Sequence, residues 1–282
     1  MVARPTLLEL DEEVLHPMIV RSFVFIVAGW LCLNGASAAT LSLSPVQDTT
    51  IYASGGSRSN GAGEVMYAGT NSAGSERRGL MMFDIAGSIP AGSTIDSVEL
   101  SLVLASYAGA GGGSGDTTPR DIELHRLPAG WGEGDAGAGT DIVGSGQGFA
   151  TDDDNTAATW SHRFYSGTEW TSLGADFDAT VSASTTVDQD LGETFTWSSA
   201  TMASDVQNWL DNPSMNFGWL LLGDEADAQT FRTFWTREAA EAGLRPALSV
   251  TYTPIPEPTT LALLILPALL AVRFMAVRLR QS

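Results

Sequence analysis

The chain has 282 residues and a formal net charge of −19, with no lysine, one cysteine and charged residues making up only 17%. A surface this acidic repels phosphate backbones, which excludes nucleic acid as a natural partner. Gly is abundant and no long Val/Ile/Leu run occurs between the two ends, which argues against a parallel α/β sheet and for an all-β extracellular module with many turns.

The chain opens on a targeting signal. Phe23 to Leu33 is an apolar run with Arg21 before it and Ala36-Ser37-Ala38 after it. Small residues stand at the positions a signal peptidase reads, so residues 1–38 are expected to be a secretory signal peptide. The run would form a helix of about 16 Å, short of a hydrocarbon core of about 30 Å. Glu9, Asp11, Glu12 and Glu13 are foreign to a positive n-region, and Met18 is a better start than Met1. Cys32 lies inside this segment. Leu31 precedes it, where lipid attachment requires a small residue. The mature domain is then free of thiols, which excludes disulfides, cysteine-ligated zinc and cysteine nucleophiles.

Residues 39–253 carry strand signals. Ser97–Ala105 alternates, with Val98, Leu100, Leu102 and Leu104 on one face. Asp121–Leu127, Gly79–Ile85, Phe217–Leu222, Thr230–Thr236 and Leu248–Tyr252 are further strands, separated by breaks such as Gly109–Gly115 and Gly130–Gly148. One helix is expected over Ala200–Leu210. Met202, Val206, Trp209 and Leu210 recur on one helical face, Ser198 or Ser199 can cap its start, and Asn212-Pro213 ends it. The expected fold is all-β: an antiparallel β-sandwich or jelly roll with one short helix.

The order of several short patterns resembles the DNRLRE domain family. Arg78-Gly79-Leu80-Met81-Met82-Phe83-Asp84 is followed by Ile89-Pro90-Ala91-Gly92-Ser93-Thr94-Ile95 and a long alternating strand. Later come Trp131 with Glu133-Gly134, Ala158-Thr159-Trp160, Gly174-Ala175-Asp176-Phe177, Val206-Gln207-Asn208-Trp209, Asn216-Phe217-Gly218 and Arg245-Pro246-Ala247-Leu248. The similarity spans about Asp48 to Tyr252, without the literal string DNRLRE. It implies a β-sandwich on a secreted or surface protein, some relatives resembling carbohydrate-binding modules.

Chemistry-bearing motifs are sparse. Gly132-Glu133-Gly134-Asp135-Ala136-Gly137 fits G-x-G-x-x-G but follows no strand and leads into no helix, so it reads as a loop. There is no G-x-S-x-G, and His125 and His162 lack metalloprotease spacing. Each histidine is expected to be structural. Asp152 and Asp154 are candidate Ca²⁺ ligands, as hard oxygens close in sequence; the alternative is a solvated loop. Trp131, Trp160 and Trp170 lie near loops. Their flat faces could stack on a sugar ring, or they could pack in the core.

The chain closes on Pro256-Glu257-Pro258, an apolar stretch Thr259–Val277, and Arg273, Arg278 and Arg280. The stretch would reach about 28 Å as a helix, enough to span, with arginines marking the cytoplasmic side. Residues 254–258 form a Pro-rich linker and 278–282 a basic end. This order resembles the PEP-CTERM sorting signal, which implies recognition by an exosortase and removal of the tail. The expected protein is a non-catalytic surface or extracellular-matrix protein, held at the inner membrane before processing and associated with exopolysaccharide after it. A dedicated carbohydrate-binding module with a defined glycan is the alternative, and a polysaccharide-degrading enzyme the second.

Overall fold

The computed structural model describes residues 37–107, 116–137 and 148–255. Ala38–Pro254 form one compact unit; a second, Met1–Ser37 with Ile255–Ser282, lies almost wholly outside the described residues. The expected signal peptide, the spanning stretch and the tail residues Pro256, Glu257, Pro258, Arg273, Arg278 and Arg280 therefore fall outside them. Among the described residues, no helix is long and apolar enough to cross a membrane.

The strands are β1 (Ala39–Leu43), β2 (Gln47–Tyr52), β3 (Arg58–Ser59), β4 (Val65–Thr70), β5 (Glu76–Met82), β6 (Thr94–Tyr107), β7 (Arg120–Arg126) and β8 (Phe149–Ala150). They continue with β9 (His162–Phe164), β10 (Thr168–Glu169), β11 (Val181–Val187), β12 (Thr194–Trp197), β13 (Trp219–Leu222), β14 (Arg232–Trp235) and β15 (Ala247–Thr253). The architecture is all-β, built on one large curled antiparallel sheet. Its order is β1-β15-β6-β14-β4-β5-β13-β7-β11, with β12 added on β6 and β2 on β5.

Two strands carry the curl by changing partners along their length. β6 pairs β15 through Thr94–Ser101 and β14 through Leu104–Tyr107. β4 pairs β14 through Val65–Ala68, then β5 through Gly69 and Thr70. The switch falls on Gly69, whose φ is +110° and where a Cβ would meet the Phe231 backbone at 2.9 Å. Only glycine fits such a bend.

The principal core lies beneath the helix Ala200–Asp211. Ser199 caps it, accepting from the Met202 N–H at 2.9 Å. Met202, Val206, Trp209 and Leu210 are buried, in the expected phase, against Val98, Leu100 and Leu102 of β6. The Trp209 and Trp219 rings sit 4.5 Å apart. Asp205 shares the buried face, its Oδ2 accepting from Ser182 Oγ at 2.5 Å and Trp219 Nε1 at 3.1 Å. These two donors satisfy a carboxylate oxygen that would otherwise oppose burial.

The central strands are covered on their other face too. Met81 and Leu221 point into the principal core, whereas Leu80 and Leu220 enter a second one with Ile51, Leu127, Trp131, Ala158, Trp170 and Ala175. Irregular chain between β7 and β11 supplies much of this second core. A strand buried on both faces loses the apolar/polar alternation that marks a half-exposed one.

Candidate functional site

The second core settles where the three loop tryptophans go. Trp131 and Trp170 are 4% and 5% exposed. Their indole N–H groups donate to Phe217 O and Thr159 O, each at 2.9 Å. The sugar-stacking expectation is corrected for both: their rings are committed to packing and offer no face to a ligand. Trp160 is half-buried, with the Arg78 guanidinium over its ring at 4.9 Å. Arg78 also clamps Glu225 at 2.8 and 2.7 Å and donates to Gly174 O at 2.6 Å, so Trp160 belongs to a structural clamp.

Asp152 and Asp154 lie in an exposed loop. Asp154 Oδ1 already accepts from Thr156 N and Oγ1 at 3.1 and 2.6 Å. Among the described residues, neither belongs to a set of three acidic or histidine side chains close enough to hold one ion. The local turn occupies one oxygen of the Asp154 carboxylate. His125 is buried, its Nδ1 2.8 Å from Asp178 O and its Nε2 3.1 Å from Glu123 Oε2. His162 pairs with Ser161 Oγ at 2.9 Å.

The acidic chain brings carboxylates together at two places. The first is the start of β7. Arg120 donates to Asp116 at 2.9 and 3.2 Å and reaches Asp224 and Asp227. Buried Arg232 adds a 3.2 Å contact to Asp116 Oδ2 and donates to Asp188 O and Thr118 O. Burial alone would raise the Asp116 pKa; the bonds from Arg120 and Thr118 N and the Arg232 charge outweigh it and hold the carboxyl below its usual range. Beside this network runs a groove of about 400 Å³, lined by Pro119, Arg120, Asp121, Glu123, Leu222, Gly223 and Asp224. Its polar side chains could hydrogen-bond ligand hydroxyls, but none of the seven is aromatic.

The second place joins three distant segments. Asp48 is on β2, Glu133 is in the glycine loop after Trp131, and Glu238 is in the turn after β14. Their carboxylates offer oxygens within 4.8 Å of one another. Glu133 is clamped by Arg237 at 2.9 and 2.6 Å and also accepts from the Asp48 N–H at 2.8 Å. Arg237 Nε lies 3.0 Å from Glu238 Oε1, and the Arg237 N–H donates to Asp48 Oδ2 at 3.0 Å. Asp48 is 0% exposed, and its Oδ1 and Glu238 Oε2 have no hydrogen-bond partner among the described residues. Burial and the Glu238 charge push the Asp48 carboxyl well above its ordinary range, and burial raises Glu238 too.

The G-x-G-x-x-G string is what delivers Glu133. A Cβ on Gly132 would strike Thr156 O at 1.9 Å, so the loop closes tightly against neighbouring backbone and cradles no nucleotide. Sequence reasoning missed this centre: its acids come from separate segments, with no local spacing to detect. Among the described residues, the exposed trio Asp188, Asp190 and Glu193 is the other set close enough to share an ion. There Asp188 Oδ1 accepts from the Asp190 N–H at 2.9 Å, as in an ordinary turn.

No protein-family model matches this chain, and no curated protein matches it.

Proposed function

We propose that this chain is a non-catalytic exported protein of the cell surface or extracellular matrix. On this reading, signal peptidase releases the segment after Ala38 and the tail holds the domain at the inner membrane. An exosortase then cuts near Pro256-Glu257-Pro258, and the freed domain associates with exopolysaccharide. The observation that carries it is the sequence of the tail: Pro-Glu-Pro, then the apolar Thr259–Val277, then Arg278 and Arg280. Two prolines so close together oppose regular helix, which is compatible with binding by a protease. The all-β domain supports the reading. A curled antiparallel sheet is compatible with the sandwich or jelly roll that the DNRLRE resemblance implies. The test is intact mass and fractionation in the native host against an exosortase-null strain. Wild-type protein should lack the residues after Pro258 and leave the inner membrane. Full-length protein in the membrane of both strains would reduce the tail to a plain anchor.

The groove beside Arg120 favours one second reading, a dedicated carbohydrate-binding module. It moves the expected contacts away from Trp131, Trp160 and Trp170 to Arg120, Asp121 and Glu123. A glycan array on the full chain separates the two: selective binding that Asp121→Ala abolishes supports the module, and no selective binding leaves the matrix role.

A further inference from the structure

We propose that Asp48, Glu133 and Glu238 bind one calcium ion that ties three segments of the domain together. Ionised, the three carboxylates meet a single guanidinium, Arg237, and leave two negative charges in excess at a site where Asp48 is 0% exposed. Buried charge is retained only when paired or ligated to metal. Arg237 supplies one positive charge to the three: it donates to both oxygens of Glu133, and its Nε also lies 3.0 Å from Glu238 Oε1.

The second observation is independent of the acidic count. Asp48 Oδ1 and Glu238 Oε2 are buried without a hydrogen-bond partner among the described residues. Both belong to carboxyls of the trio whose oxygens lie within 4.8 Å of one another, while Asp48 Oδ2 is taken by the Arg237 N–H at 3.0 Å. Two more buried, unpartnered oxygens, Asn60 Oδ1 and Glu64 Oε2, come from the β3–β4 segment. That segment reaches the same corner: the Thr236 N–H donates to Glu64 O at 3.0 Å and Thr236 Oγ1 to Gly63 O at 2.7 Å, immediately before Arg237.

The donor set selects the ion. Every donor is a hard oxygen, with no His or Cys, which disfavours zinc, nickel and copper. Oxygens within 4.8 Å of one another fit around an ion with bonds of about 2.3–2.6 Å. Calcium accepts an irregular shell of about six to eight oxygens, whereas magnesium demands a near-ideal octahedron and keeps several waters, which a centre sealed on the Asp48 side does not accommodate. The competing arrangement is a proton shared between Asp48 and Glu238. It satisfies that pair and leaves the second excess charge in place. The inference does not rest on the export reading, and either can fail alone.

The test uses the full-length chain in mild detergent, with calcium chloride as the only added ligand. Calorimetric titration should give one ion per chain, and saturating calcium should raise the melting temperature by about 5–10 °C. Glu238→Gln should weaken binding at least about tenfold, the expected penalty for losing one charged ligand, while the double variant Asp152→Asn/Asp154→Asn should bind like wild type. If Glu238→Gln does not fold, hydrogen exchange on the wild-type chain localises the site. Calcium should slow exchange at Thr49–Ile51 and Arg237–Ala239 and not at Thr151–Thr156. The proposal is overturned by the absence of saturable binding, by binding that Glu238→Gln leaves unchanged, by equal binding of magnesium, or by protection confined to Thr151–Thr156.

Discussion

Asp116 and Asp48 are both buried carboxylates in an acidic protein, at 9% and 0% exposure, yet their surroundings pull in opposite directions. Asp116 meets Arg120 and Arg232, and its carboxyl is held below its usual range against the effect of burial. Asp48 meets Glu133 and Glu238, with one arginine among the three, and burial together with Glu238 pushes it up. Burial raises the carboxyl at both places and most strongly at Asp48; two arginines overcome it at Asp116, whereas like-charged neighbours add to it at Asp48. The first cluster is complete as folded, and the second needs a proton or a cation.

The largest effect should come from breaking the complete cluster. Arg232→Met removes a fully buried guanidinium and leaves Asp116 with Arg120 alone. The expected loss is about 3–5 kcal/mol, the range for removing one partner of a buried pair, read from the urea midpoint. A loss below about 1 kcal/mol would show that Arg120 alone compensates Asp116.

Next comes a change of sign at the other cluster. In chelator, Glu238→Gln should stabilise the domain by on the order of 1–3 kcal/mol at neutral pH, because it removes a buried charge and gives Asp48 Oδ1 a donor. In calcium the same substitution should destabilise. Destabilisation under both conditions would mean that the Glu238 carboxylate is satisfied without an ion.

The pH dependence follows the same division. Asp116 titrates lower folded than unfolded, so its contribution is present above the unfolded pKa and is lost as pH falls through the folded one. Asp48 and Glu238 titrate higher when folded. Between the unfolded and the raised folded values the native state binds more protons, so in chelator stability falls as pH rises through that window. Arg232→Met should remove much of the acid-limb dependence, and Glu238→Gln should flatten the falling limb above it. Thermal melts across pH, with chelator and with calcium, read both limbs. A stability that climbs steadily with pH in chelator would contradict the raised carboxyls.

The smallest effect belongs to the exposed loop. Asp152→Asn with Asp154→Asn should change stability by less than about 0.5 kcal/mol, with or without calcium, since asparagine keeps the acceptor for Thr156. A calcium-dependent loss there would return the ion to the site that local sequence spacing suggests.

What the sequence discloses follows from periodicity. β6 reads directly, because Val98, Leu100, Leu102 and Leu104 face one core every second residue. The helix reads directly as well, its phase fixed by Met202, Val206, Trp209 and Leu210 and its start by Ser199. Trp131, Trp160 and Trp170 do not, because irregular chain has no period to separate a buried ring from an exposed one. Only the fold reveals that the sheet's outer face needs a covering layer. β4 is equally opaque: Val65–Thr70 is buried throughout, so alternation vanishes. The Asp48 centre is hidden for a third reason. Glu133 lies 85 residues from Asp48 and 104 from Arg237, and the topology alone brings them together.

The account's central claim is that the Asp48 centre is completed by an ion. A crystal of the protein grown in calcium, with data collected at long wavelength, tests it most directly. The account predicts an anomalous peak about 2.3–2.6 Å from oxygens of Asp48, Glu133 and Glu238. Carboxyl oxygens of Asp48 and Glu238 about 2.5–2.7 Å apart, with no peak between the three acids, would show that they share a proton instead and would contradict it.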